Sequence, residues 1–369
     1  MKTKIILAAG LAVAGAGAAH AGGIDRSGQW LSPLFQKGNY AELGFGSVNP
    51  SVSGQDVALF GGKKTGNVAG SFVLPSLSLK QDLTDKLSYA IILDQGFGAD
   101  TTYSTAGSVA LGGTKASATT NDLTGVLRYK LNKNFSVIGG LRVEQASGNI
   151  TLGGLAYGGV NGYNVDLKSN TATGYLLGVA YEIPEYALRV DLTYNSSIKH
   201  NFGTVETLKG GTIGTTPTPV NTPESWNLEF QSGVNKSTLV FGSIRWARWS
   251  QFQINPKTFY GLTGGGLVNL QDTTDYTLGL GHKFTDTWSG AIAVNYEPKG
   301  KSLVSPLAPT NGNYGLSLAA IYTQGNVKVT TGVNYTVLGD AQAQTSNTAR
   351  ATFSGNHAIS VGVKVGFTF

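Results

Sequence analysis

The sequence predicts an all-β fold, a transmembrane antiparallel β-barrel of about fourteen strands with a short N-terminal hatch inside or at its periplasmic mouth. Three observations carry that prediction. The composition is that of a strand-built chain: of 369 residues, 52 are Gly, one is Met, none is Cys and 13% are charged. Long segments alternate apolar and polar residues with a period of two. The links between those segments are short and long in turn, which is how such barrels are connected. The same numbers exclude other classes. A disordered chain is poorer in aromatics than this one, with its 15 Phe, 16 Tyr and 5 Trp. A disulfide-stapled scaffold needs cysteine, and a helical membrane bundle needs runs of about 18 apolar residues.

Residues 1–21 read as a signal peptide. Lys2 and Lys4 make a positive start, Ile5 to Gly17 is a short stretch of small apolar residues, and Ala19-His20-Ala21 is a small-x-small cleavage site. The net charge of +6 is not clustered, so no nucleic-acid partner is expected. Residues 22–38 then form the hatch, and residues 39–369 the barrel.

The barrel segments follow in chain order. In Ser71–Lys80 the apolar set shifts phase from Phe72 and Leu74 to Leu77 and Leu79 across Pro75, which calls for a bulge or local break. Leu87–Asp94 runs into Gly96-Phe97-Gly98, where a loop start and a functional break in the wall are both open readings. Leu123, Leu127, Tyr129 and Leu131 alternate with Thr124, Arg128 and Lys130. Phe135, Val137, Leu141 and Val143 alternate with Ser136, Arg142 and Glu144. Leu188, Val190, Leu192 and Tyr194 alternate with Arg189, Asp191 and Thr193, and Val327, Val329, Val333 and Tyr335 with Lys328, Thr330 and Asn334. The clearest segment is the last, His357–Phe369, with valines and phenylalanines on one face and Ala358, Ser360, Gly362 and Lys364 on the other. Its length exceeds the residues a tilted strand needs to cross a bilayer, about 9–11. Its terminal Phe369 resembles the signal read by the outer-membrane assembly machinery. In such a barrel the apolar face looks out to lipid and the charged face lines the lumen.

Tight turns are expected near Asp82–Lys86, Asn132–Asn134, Pro184–Glu185, Asn235–Lys236, Thr285–Thr287 and Gln324–Asn326. Longer links are expected at residues 50–67, 96–118, 148–170, 200–224, 250–272, 298–311 and 337–356. Together they join fourteen strands, with twelve or sixteen remaining open. Trp226, Trp249 and Trp288 at strand ends fit interfacial girdles.

Several segments resemble the FadL family of outer-membrane transporters. They are Thr222-Pro-Glu-Ser-Trp-Asn-Leu-Glu-Phe-Gln-Ser-Gly-Val234, Arg245-Trp-Ala-Arg-Trp-Ser-Gln-Phe252, Phe97-Gly-Ala-Asp-Thr-Thr-Tyr103, and Val304-Ser-Pro-Leu-Ala-Pro-Thr-Asn-Gly312 with Leu338-Gly-Asp-Ala341. The resemblance implies passive uptake of long-chain fatty acids or similar hydrophobic molecules. It implies capture at the outer loops, a pocket above the hatch, and lateral exit at a kinked third strand, here Gly96, Phe97, Gly98 and Ala99. The hatch departs from the family pattern. It is short and lacks the Asn-Pro-Ala motif, the nearest match being Asn49-Pro50-Ser51 beyond the first strand. Its Trp30, Leu31, Leu34 and Phe35 are candidates for the floor of a ligand pocket, against a plain tether at the barrel mouth. The glycines and prolines of residues 200–224 oppose helical capture loops.

Chemistry other than transport finds little support. His200, His282 and His357 have no nearby Ser or Asp constellation, so no enzyme is expected, and no cofactor or metal site is implied. Arg128, Arg142 and Arg189 fall on inward phases with Glu144, Asp191 and Glu229. They either pair across the lumen or one of them meets a ligand carboxylate. The expected partners are a hydrophobic ligand, outer-membrane lipid and lipopolysaccharide, with the barrel a monomer. The alternative function is a water-filled, porin-like channel for small solutes, and a third is a structural or adhesive surface barrel.

Overall fold

The structure, a computed structural model, describes residues 24–369. The expected signal peptide and the first two hatch residues lie outside that range. Fourteen barrel strands run in order through the described residues. They are β1 (Tyr40–Ser51), β2 (Phe72–Asp82), β3 in two pieces (Leu87–Asp94 and Gly98–Thr102), β4 (Lys115–Lys130), β5 (Phe135–Leu152), β6 (Tyr163–Ile183) and β7 (Leu188–Asn195). The second half comprises β8 (Ser225–Gly233), β9 (Thr238–Ala247), β10 (Thr273–Lys283), β11 (Trp288–Glu297), β12 (Asn313–Gln324), β13 (Val327–Leu338) and β14 (Asn356–Thr368). Each pairs antiparallel with its neighbour, and β14 closes on β1 from Tyr40↔Thr368 to Ser51↔His357. Closure leaves the wall without free edges along this seam.

The alternation read in the sequence sets the two faces. On β14, Ile359, Val361, Val363, Val365 and Phe367 are exposed while Ala358 and Ser360 are buried. The exposed apolar side chains form the lipid-facing belt. Aromatics meet around the outer rim of that belt, where Tyr194 pairs with Trp226 and Trp226 with Trp246, and Tyr296 pairs with both Tyr276 and Tyr314. All six tight turns fall where Asn, Asp, Pro and Gly interrupt the alternation.

The structure differs from expectation in three places. β5 and β6, at 18 and 21 residues, are longer than a bilayer requires, so the link expected at 148–170 shrinks to 153–162. Residues 200–224 are not helical, as expected, and form short strand pairs, Ile198–Phe202 with Thr218–Thr222 and Thr204–Leu208 with Gly211–Gly214, but a helix, α1 (Lys257–Thr263), lies in the following link, where none was expected. Third, β2 is not bulged at Pro75: its register with β1 runs unshifted from Tyr40↔Lys80 to Val48↔Phe72, and the local break lies only on its other edge, where pairing with β3 stops at Leu77. The phase shift in its apolar residues has another cause. Val73, Pro75 and Leu77 face outward, whereas Phe72 and Leu74 turn inward and line cavities.

The outer links build a cap. Ser53–Asp56, Lys64–Asn67, Leu303–Val304, Ala341–Thr345 and Thr348–Phe353 form a separate five-stranded sheet above the wall. Tyr103, Leu111 and Phe353 are buried beneath it.

Candidate functional site

The wall has a window between β2 and β3. Below it, β2 and β3 pair only from Leu77↔Leu93 to Asp82↔Ser88. Above it, the chain preceding β2 meets the upper piece of β3, with Gly70 N–H donating to Asp100 O (3.0 Å) and Thr102 N–H to Val68 O (2.8 Å). Residues 71–76 on one side and 95–99 on the other face each other without ladder bonds between the two strands. Pro75 sits on this unpartnered edge, where the lack of an N–H is tolerated. At the break β3 turns inward: Phe97 is buried, its N–H donates to Thr120 Oγ1 (2.9 Å), and its ring meets Trp249 edge-on at 5.3 Å. Trp249 therefore does not belong to an interfacial girdle. It is 1% exposed and packs in the lumen, whereas Trp226 and Trp288 remain on the outer surface.

The hatch supplies the partner that β3 lacks. Gly98 N–H donates to Ile24 O (2.9 Å), Arg26 N–H donates to Gly96 O (2.9 Å), and Asp25 forms an isolated bridge with Phe97. The same segment is tied to the opposite wall. Arg245 Nε donates to Asp25 Oδ2 (2.7 Å), Asn227 Nδ2 to Gly28 O (2.9 Å) and Ser225 Oγ to Gln29 Oε1 (3.1 Å). Gln29 is held at a positive φ of 58° by these contacts. A 3₁₀ turn, Ser32–Phe35, follows. Its Leu34, with Leu31, packs on inward-facing Ala90, Ile92, Val126, Ile138, Leu176 and Ala180, filling the lumen toward the short-turn end. Phe35 lies between the guanidinium groups of Arg128 (4.7 Å) and Arg189 (4.2 Å).

Two cavities flank the window. The lower, about 90 Å³, reaches from Trp30 and Arg26 of the hatch to Leu74, Leu77, Asp94 and Gln95 of the wall. The upper, about 50 Å³, lies under the cap among Ile24, Val52, Phe72, Asp100, Leu307 and Leu338. Arg26 lines both. Its guanidinium stands 4.2 Å above the Phe72 ring. Burial pulls the Arg26 side chain below its ordinary pKa, and the Asp100 carboxylate opposes that shift.

The sequence profile of the outer membrane protein transport protein family (OMPP1/FadL/TodX) matches residues 6–369. The chain belongs to this family. Its fold is also that of solved relatives. A FadL homologue of Pseudomonas aeruginosa aligns with a TM-score of 0.74 at 16% identity, covering 97% of this chain and 98% of that one. The Pseudomonas putida toluene transporter TodX gives 0.65 at 16% identity, covering 90% and 91%. The Ralstonia pickettii toluene transporter TbuX gives 0.61 at 14% identity, covering 91% and 90%. No curated protein matches the sequence. Membership makes this a bacterial outer-membrane transport protein for hydrophobic compounds, not an enzyme.

Within this FadL/TodX barrel the candidate residues divide. Trp30 borders the lower cavity, while Leu31, Leu34 and Phe35 fill the lumen below. Gly96, Phe97, Gly98 and Ala99 form one side of the window. The lumen arginines have protein partners. Arg128 pairs with Glu182 and Ser136, Arg189 with Asp191 (2.8 Å) and Glu229 (2.7 Å), and Arg142 donates to Thr124 and Asn195 (both 3.2 Å). His200 is buried between Glu144 (2.9 Å) and Asn170 (3.1 Å). Sequence reasoning missed Arg26, Phe72 and the Asp25–Arg245 pair. The inward phase of Phe72 was the one available signal, since an apolar residue on a lumen phase marks a surface that is not water-filled.

Proposed function

We propose that the protein admits small hydrophobic molecules, long-chain fatty acids or aromatic hydrocarbons among them, passively, and releases them sideways through the window between β2 and β3. The observation that carries this is the lower cavity, which is lined both by hatch residues and by wall residues on the two sides of the window. A ligand there has apolar surroundings toward the bilayer, while the hatch obstructs the path straight down the lumen. Remaining out of water is worth about 0.8 kcal/mol per CH₂, so a lateral route keeps that gain throughout transit. The toluene transporters of similar fold support a hydrophobic cargo.

The test is uptake by cells lacking their own outer-membrane fatty acid transporter, with and without this protein. Labelled oleate and labelled toluene are supplied separately. Restored uptake of either supports the proposal. No uptake of either, despite a folded barrel at the cell surface, overturns it.

A further inference from the structure

We infer that Arg26 is the head-group contact of the window site and that it gives the protein a preference for amphipathic carboxylates over neutral molecules of the same size. This rests on the hydrophobic-ligand reading above. Arg26 is only 9% exposed, lines both cavities, and its Nε has no hydrogen-bond acceptor. A buried donor left without an acceptor is costly, and a charged acceptor brought to it is correspondingly favourable. The wall arginines differ in that each already has a donor engaged by a carboxylate, a hydroxyl or an amide of the protein, although Arg189 Nε, like Arg26 Nε, has no acceptor in hydrogen-bond geometry.

The surroundings decide the direction of approach. The lower cavity is lined by two carboxylates, Asp94 and Glu42, and by two cations, Arg26 and Lys364, with Glu42 and Lys364 3.5 Å apart. Those charges balance, and the serines and Gln95 beside them give a row of methylenes little apolar cover. The upper cavity is apolar except for Asp100, Thr101, Thr310 and Arg26 itself. A carboxylate therefore meets Arg26 from above, with its first methylenes among Ile24, Phe72, Leu307 and Leu338. Asp100 is the competing anion that limits the affinity. An apolar cavity of about 150 Å³ takes one benzene, so the two cavities suit a head group and a few carbons rather than a whole long chain. Gly98 is part of the arrangement, since a β-carbon there would lie 2.2 Å from the guanidinium carbon.

The experiment is calorimetric titration of the full chain in lipid nanodiscs with octanoate and with 1-octanol, empty nanodiscs being subtracted. The wild type binds octanoate more tightly. Arg26→Gln lowers octanoate affinity by about tenfold or more while octanol changes by less than about twofold, as loss of a charge-assisted contact requires. Asp100→Asn, which leaves Arg26 in place, raises octanoate affinity and leaves octanol alone. Equal losses for both ligands in Arg26→Gln, or no octanoate preference in the wild type, overturn the role of Arg26 and leave the transport reading standing. Absence of binding by either ligand, together with absent uptake in cells, removes both.

Discussion

At Gly98 a side chain has nowhere to go except into the Arg26 guanidinium, 2.2 Å from an added β-carbon, and at Gly96 it would meet Asp122 Oδ2 at 2.3 Å. Overpacking of this kind costs about 1–3 kcal/mol, and the flexible Arg26 is the group that yields. Gly98→Val is thus expected to cut uptake several-fold while the barrel still shows heat-modifiable mobility on gels, because the ladder between β4 and β5 runs its full length without it. Unchanged uptake would count against release at the window. Arg189 makes the opposite case. It joins Asp191 and Glu229 and stacks on Phe35, so Arg189→Ala leaves two buried carboxylates without their cation. The expected result is a clear loss of thermal stability, about 3–5 kcal/mol, with octanoate and octanol binding reduced alike. A selective loss of octanoate would return the head-group role to the wall.

Among the elements, the hatch depends on one buried ion pair. Asp25 and Arg245 are each about 1% exposed and 2.7 Å apart, and Arg245 also donates to Ser225 and Asn227. Removing one partner strands a buried charge, at about 3–5 kcal/mol, whereas replacing both is far milder. Arg245→Gln is therefore expected to expose residues 24–38 to added protease, and Asp25→Asn with Arg245→Gln to recover most of the protection. Equal cleavage of the single and double variants would show that the pair does not hold the segment. β2 shows how an element's pattern can mislead. Its apolar residues change phase at Pro75, as a bulged strand's would, yet its register with β1 is unshifted. Phe72 and Leu74 face the two cavities beside the window while Leu77 faces the bilayer, so apolar residues stand on both sides of the wall there.

The whole molecule behaves as a plugged barrel. The hatch and the paired charges occupy the lumen toward the short turns, and an amide network holds the far wall, with Asn295 donating to Asn313 (2.9 Å) and Asn334 to Ser317 (2.8 Å). In planar bilayers the intact protein is expected to show no steady ohmic conductance, and a variant lacking residues 24–38 to show one. Porin-like conductance from the intact chain would favour the water-filled alternative.

The sequence by itself indicated the barrel, a count of about fourteen strands, the six turns and the inward phase of Arg128, Arg142, Arg189, Glu144, Asp191 and Glu229. Those features are local: period-two alternation and turn residues act over a few neighbours, and lipid on one side makes the pattern strict. It also marked Gly96-Phe97-Gly98 as an irregular stretch, because glycines around an aromatic interrupt the alternation. Only the tertiary structure decided what that stretch does. The window exists because β2 and β3 pair over their lower halves alone, and the hatch fills β3's missing ladder from a distant part of the chain. Arg26 meets Phe72, Phe97 meets Trp249 and Asp25 meets Arg245 across the lumen. No spacing in the sequence encodes such contacts, since closure of the wall is what brings them together.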